Sequence, residues 1–293
     1  MLRYHIEERS NLQELDISGN KISEIEDNSF QFLSSLVHLN LAKNSLQRVN
    51  NVTFQGLVNL RTLDLSQNAI FQIDISAFDC LTKRKTMNLS HNTRFSYSNH
   101  HMPPRLFMPL QELRFLYIQG NSNGFKQYPN AALATLKNLQ KLVIDGLHSP
   151  ANFGPELKSL RNFRALEFGT HEGKCHLVNI TETIFENIPY LNYLALEKCN
   201  LKEVHANFYK NLPHLPTLRI DRGGETYTLF RAFEDLKGLQ NSSLKSLSFN
   251  YLYQTSHPCV VLKAEQARYL QNIALEELDL SFNFITLLQR AFN

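Results

Sequence analysis

Leu60-Arg-Thr-Leu63-Asp-Leu65-Ser-Gln-Asn68-Ala-Ile70 decides the fold of this chain. The same pattern stands in Leu12-Gln-Glu-Leu15-Asp-Ile17-Ser-Gly-Asn20-Lys-Ile22 and in Leu36-Val-His-Leu39-Asn-Leu41-Ala-Lys-Asn44-Ser-Leu46. It returns near the other end as Leu275-Glu-Glu-Leu278-Asp-Leu280-Ser-Phe-Asn283-Phe-Ile285. Each stretch has apolar residues at its first, fourth, sixth and eleventh places and Asn at its ninth. The first three starts are evenly spaced, at 36−12 = 24 and 60−36 = 24 residues.

The fourth and sixth places flank one polar residue, the period of a short β-strand with one side chain out and two in. The ninth-place amide has donors and an acceptor for the backbone of its own turn and of the next. One such unit cannot bury its own leucines, so the units must stack. This is the leucine-rich-repeat signature. It predicts an α/β solenoid, a horseshoe with a parallel sheet on the concave face and irregular or short helical segments on the convex one. A second ladder runs in phase. Phe30, Phe54, Phe78, Phe107 and Phe185 stand six residues before repeat starts. Leu33, Leu57, Leu81, Leu110, Leu136, Leu160, Ile188 and Leu212 stand three before. Both sets are expected in the core.

The chain reads as a single domain, 1–293, of about eleven repeats and truncated at both ends. It is regular over 12–138, irregular over 139–274 and ends in a partial repeat, 275–293. The ninth place is Asn at 20, 44, 68, 92 and 121, then Leu147, His171, Cys199, Gly223 and Leu252, then Asn283. Looser stacking is expected where the Asn is lost. The stretch Gly223-Gly224-Glu225 is the expected loop departure. Leu39, Leu41, Leu63, Leu65, Leu278 and Leu280 are expected to be buried.

Thirty Lys and Arg against 27 Asp and Glu leave a charge of +3, too weak by itself to indicate a nucleic-acid binder. The start lacks the apolar core of a signal peptide, and no run reaches the ~18 apolar residues of a membrane span. No Gly-rich phosphate loop, Gly-x-Ser-x-Gly elbow or His-Glu-x-x-His helix is present, so no enzyme is expected. No cofactor and no metal site is expected either. Asn51, Asn88, Asn179 and Asn241 each open an N-glycosylation sequon.

The broken Asn ladder, the Phe spine, repeats near 24 residues and the sequons together resemble the ectodomain of a Toll-like receptor. The resemblance implies a fragment of a single-pass innate immune receptor on the extracellular or lumenal side of a plasma or endosomal membrane. It implies a microbial lipid, protein or nucleic acid as ligand and a second receptor ectodomain as partner. Any membrane contact would run through segments absent from this chain. The alternative is a leucine-rich-repeat adhesion or scaffold protein mediating protein–protein interaction.

Places three and five of each repeat face solvent on the predicted strand. In the middle repeats they hold Phe115, Tyr117, Val143 and Tyr193, an apolar patch of the kind that binds ligands. The stretch with His91, His100 and His101 among Lys and Arg is an alternative site, for nucleic acid at acidic pH. Cys175 and Cys199 fall one solenoid step apart, a separation compatible with a disulfide. Reduced thiols remain an alternative, as does zinc held by His171, Cys175, His176 and Cys199, whose spacing matches no standard finger. Cys80 reads as a small buried apolar residue, and Cys259 has no assigned partner.

Overall fold

The computed structural model describes residues 11–98, 100–122, 124, 126–148, 151–205, 207–239, 242–253 and 259–289. The chain divides into two compact units, one of residues up to 143 with 159–163, the other of 144–158 with residues from 164 onward. Eleven short parallel strands, one per repeat, build them.

In the first unit these strands are β1 (Glu14–Asp16), β2 (His38–Asn40), β4 (Thr62–Asp64), β6 (Thr86–Asn88), β7 (Phe115–Tyr117) and β8 (Lys141–Ile144). A second ladder pairs β3 (Arg48–Val49) with β5 (Gln72–Ile73). The register holds repeat places opposite one another: Leu15 with Leu39, Leu39 with Leu63, Leu63 with Met87. Each turn therefore sets its fourth-place side chain against that of the next, and Leu39, Leu41, Leu63 and Leu65 are buried. The residues of both predicted core ladders, in this unit and in the second, are all buried. Phe30, Phe54 and Phe78 stack at centroid distances of 6.5 and 6.3 Å.

The Asn ladder closes each turn. Asn68 Nδ2 donates to Leu41 O at 3.0 Å and Leu65 O at 3.1 Å, while its Oδ1 accepts from Leu46 N at 3.0 Å. Asn44 and Asn92 repeat this arrangement one turn to either side. Such bonds satisfy buried backbone groups that would otherwise each cost about 1–3 kcal/mol.

In the second unit the strands are β9 (Ala165–Phe168), β11 (Tyr193–Glu197), β13 (Thr217–Asp221), β14 (Ser246–Asn250) and β16 (Glu277–Asp279). Two short ladders accompany them: β10 (Asn179–Ile180) with β12 (Glu203–Val204), and β15 (Val260–Leu262) with β17 (Ile285–Leu288). Looser stacking was the expectation here, and the structure corrects it. The pairs β11–β13 and β13–β14 run in register over five residues, Tyr193–Glu197 against Thr217–Asp221 and on to Ser246–Asn250. The eighth-place amide pairs with the next turn here as it does in the Asn-bearing turns: Lys198 N with Asp221 O at 2.9 Å and Arg222 N with Asn250 O at 3.0 Å, like Lys43 N with Ser66 O at 2.9 Å. The strand ends at Asp221, and after Gly223-Gly224 the chain enters the helix Leu229–Asp235, whose N-cap Thr228 hydroxyl accepts from Arg231 N. Leu278 and Leu280 are a second correction. Leu278 is 37% exposed and Leu280 half-buried, because among the described residues β16 is paired on one side only, with β14. They line an open apolar hollow of about 380 Å³ with Leu262, Ile285 and Leu288.

One regularity escaped the sequence pattern. The eighth place of a repeat sits in the left-handed backbone region in nine of the eleven turns: Gly19, Lys43, Gln67, His91, Gly120, Lys198, Arg222, Tyr251 and Phe282, with φ between 52° and 78°. The two exceptions, at Gly146 and Thr170, flank the disulfide described below.

Candidate functional site

Places three and five fall in rows across the strands of each unit, because the repeat strands pair like place with like place. In the first unit the fifth-place row begins Asp16, Asn40, Asp64, Asn88. Its members are tied in pairs: Asn40 Nδ2 donates to Asp16 Oδ2 at 3.0 Å and Asn88 Nδ2 to Asp64 Oδ2 at 3.1 Å. Each side chain also caps the turn that follows, accepting from the backbone N of Ser18, Ala42, Ser66 and Ser90 respectively. These bonds hold the Asp16 carboxyl below its ordinary range, with the Ser18 bonds the largest cause. The row is thus a fixed, hydrogen-bonded polar strip.

Phe115 and Tyr117 follow on β7, both half-buried, and the Lys141 ammonium lies 5.9 Å from the Tyr117 ring centroid. Val143 does not join them at the surface. Its side chain is fully buried. It is the register partner of Tyr117, and in a sheet with strands ~4.8 Å apart a short branched side chain is overtopped by such a neighbour.

In the second unit the same places hold a different chemistry. Glu167 is buried, accepting from Thr170 Oγ1 at 2.9 Å with His171 Nε2 at 3.6 Å. Ala195 is buried as well, so that place is a floor rather than a projection. Beyond it lies a groove of about 410 Å³ lined by Tyr193, Thr217, Arg219, Ser246, Leu247, Ser248, Glu277, Leu278 and Asp279. Arg219 is held over the strand by Asp221 Oδ2 at 3.1 Å, and this bond, ahead of the burial that opposes it, raises its pKa. Two strands away the Asp279 carboxylate accepts from Ser281, Asn250 and Ser248, which pull its pKa down to about 2. One fixed cation and one fixed anion therefore share a single wall. Tyr193, expected in an apolar patch, is half-buried and lines this groove. Arg219, Glu277 and Asp279 were legible as outward places of the repeat, but nothing in the pattern distinguished them from the other outward residues.

Cys175 and Cys199 are joined, Sγ to Sγ at 2.01 Å, with Cα atoms 4.6 Å apart. Two glycines make room for the bond. A Cβ on Gly146 would lie 2.5 Å from Cys175 Sγ, and one on Gly169, at φ +71°, would lie 1.8 Å from Glu197 O. The loop carrying Cys175 is anchored on the far side too, with Gly146 N donating to Lys174 O at 2.9 Å and His176 N to Gly146 O at 2.7 Å. The cysteines are thereby removed from the zinc set, and no group of three metal-ligating side chains occurs among the described residues. Cys80 is half-buried with its Sγ 3.1 Å from Phe54 O, and Cys259 is exposed. His101 Nδ1 lies 2.8 Å from Ser96 Oγ, and burial, ahead of the neighbouring His100, lowers its pKa.

Of the sequons, Asn51 is exposed and Asn179 is half-buried on β10. Asn88 is half-buried within the polar strip, and Asn241 lies outside the described residues.

Stacked parallel turns, a closed Asn ladder and one outward row per strand place define a leucine-rich-repeat solenoid. The leucine rich repeat family model matches residues 10–70 and 59–122. The chain is also similar in structure to a chain of the Toll–Spatzle complex, described as a molecular hub in Drosophila development and innate immunity. That likeness has a TM-score of 0.68 at 20% identity and covers 94% of this chain and 34% of that one. The chain thus spans about a third of the length of that neighbour. No curated protein sequence matches. No helix among the described residues is long and apolar enough to cross a membrane.

Proposed function

We propose that this chain is part of the ligand-recognition ectodomain of a Toll-like innate immune receptor, that it binds a protein through its strand face, and that ligand brings two ectodomains together. The observation that carries the reading is the groove around Arg219 and Asp279, fixed in place on a solenoid that superimposes along nearly its whole length on a chain of the Toll–Spatzle complex. The chemistry of the face favours protein over the other ligand classes. A lipid needs enclosed apolar volume, whereas this groove is open and carries Arg219, Glu277 and Asp279 among its lining residues. A nucleic acid would meet Glu14, Asp16 and Asp64 in the first unit and Glu277 and Asp279 in the second, carboxylates that repel phosphate.

Recovering the full-length transcript tests the receptor reading. The expected product continues into a membrane-crossing segment and a Toll/interleukin-receptor domain. A secreted product, or one anchored without that domain, would replace it with the adhesion or scaffold reading.

A further inference from the structure

The edge at which the chain enters the strands of the first unit carries a run of cations. Residues 58–62, 82–86, 111–115 and 137–141 are the same stretch of four successive turns. In the first three of these turns the second repeat place is Arg61, Lys85 and Arg114. The backbone sets them side by side: Lys85 N donates to Arg61 O and Arg114 N to Lys85 O, each at 2.9 Å. Arg61 and Arg114 are exposed and Lys85 is half-buried. Lys83 and Lys137 flank the row, both exposed and both held by neutral partners. Lys83 Nζ donates to Asn59 Oδ1 at 2.8 Å and Lys137 Nζ to Ser159 Oγ at 3.0 Å. No ion pair among the described residues neutralises any of these five cations. Glu112 is the one carboxylate in the four stretches, and no sequon falls in them.

Cations gathered without counter-charges repel one another and hold small counterions, which a polyanion laid along the row releases. The guanidinium forks of Arg61 and Arg114 suit the oxygens of a sulfate or phosphate. The surroundings separate the polyanions. Single-stranded nucleic acid needs bare aromatic faces for its bases. Phe115 and Tyr117 are half-buried, and the Lys141 ammonium lies over the Tyr117 ring. A duplex spread over the row would also cover the Asp64 carboxylate, three residues along the strand from Arg61 or about 10 Å. A sulfated glycan is one narrow chain with no bases to stack, and it fits the row without reaching the polar strip. We propose that this edge binds a sulfated glycan of the heparan sulfate class, laid across the turns with its sulfates on Arg61, Lys85 and Arg114 and on the flanking Lys83 and Lys137. The transcript decides the receptor and glycan selectivity decides this edge, so the two readings can fail separately.

The probe is a fluorescein-labelled heparin decasaccharide, titrated by anisotropy against the full 293-residue chain at neutral pH. The controls are the same chain stripped of its sulfates, a thymidine oligonucleotide and an RNA duplex, the nucleic acids matched to the probe in charge. The unneutralised row gives an expected preference of at least about tenfold for the sulfated over the desulfated chain, lost in ~1 M salt. Arg61→Gln together with Arg114→Gln weakens binding about fivefold. It also flattens the dependence of log affinity on log salt by about 0.7–0.9 for each lost contact. Lys202→Gln together with Lys210→Gln, at two exposed cations of the second unit, removes the same charge and leaves the affinity unchanged. Circular dichroism checks that each variant is folded. Tighter binding of either nucleic acid, equal binding of the two glycans, or no binding of the probe overturns the proposal. So does an arginine double variant that binds like the wild type, or one that loses no more than the lysine double variant.

Discussion

Arg84 occupies the first place of its repeat, where the regular turns carry Leu, and it is fully buried. None of its three guanidinium nitrogens has a hydrogen-bond partner, and burial pulls its pKa down to about 9. Replacing a buried, poorly compensated charge by an apolar group of similar volume commonly stabilises a protein by about 1–4 kcal/mol. Arg84→Leu is therefore expected to shift urea unfolding to higher denaturant, and an unchanged or lower midpoint would show that the guanidinium is compensated. Asp235 is a subtler case. Burial, opposed by the Tyr227 hydroxyl that donates to it at 3.0 Å, raises its pKa to about 6. A carboxyl raised in the folded state contributes stability that is full below its ordinary value of 3.8 and lost as the pH climbs through about 6. Asp235→Asn should match the wild type near pH 4 and become the more stable of the two by pH 8, as read from melting temperatures. A difference that does not vary with pH would contradict this assignment.

The disulfide ties two of the five turns that lost the Asn. Closing a loop with a sequence separation of 24 stabilises by about 3 kcal/mol in the chain-entropy account. A Cys175→Ser, Cys199→Ser double variant should lose about that much in urea unfolding, and no loss would mean that the Gly146–Cys175 pairing carries the loop alone. The strands were legible before the structure because their alternation is local, and the register followed because identical repeats must align identical places. Three things were not legible. The five-residue pairing of β11, β13 and β14 depends on how three neighbouring turns align, which no single turn encodes. Gly146 and Gly169 are ordinary loop glycines until a disulfide lies against them. Val143 reads as outward from its place, and its burial, beside its register partner Tyr117, is set by neighbouring turns.

For the whole molecule, the outward rows were readable and the groove was not, since it takes three strands to bring Arg219, Ser248 and Asp279 into one line. The sequons carry a test of the proposed extracellular setting. Protein secreted from animal cells is expected to bear glycans at Asn51 and Asn179, and also at Asn241, by glycopeptide mass spectrometry. Asn88 should be unmodified, because its Nδ2 donates to Asp64 and its Oδ1 accepts from Ser90 within the polar strip. Finding the first three bare in secreted material would remove the sequons from the argument. The left-handed eighth place has a different kind of consequence. A branched β-carbon is strained there, while Gly and unbranched side chains are tolerated. A saturation mutagenesis scan should show a stripe recurring at 43, 67, 91, 198, 222, 251 and 282 that rejects Val, Ile, Thr and Pro yet accepts lysine, glutamine or phenylalanine. Along that stripe the chain can rewrite its surface, from cation to amide to aromatic, without altering the frame beneath.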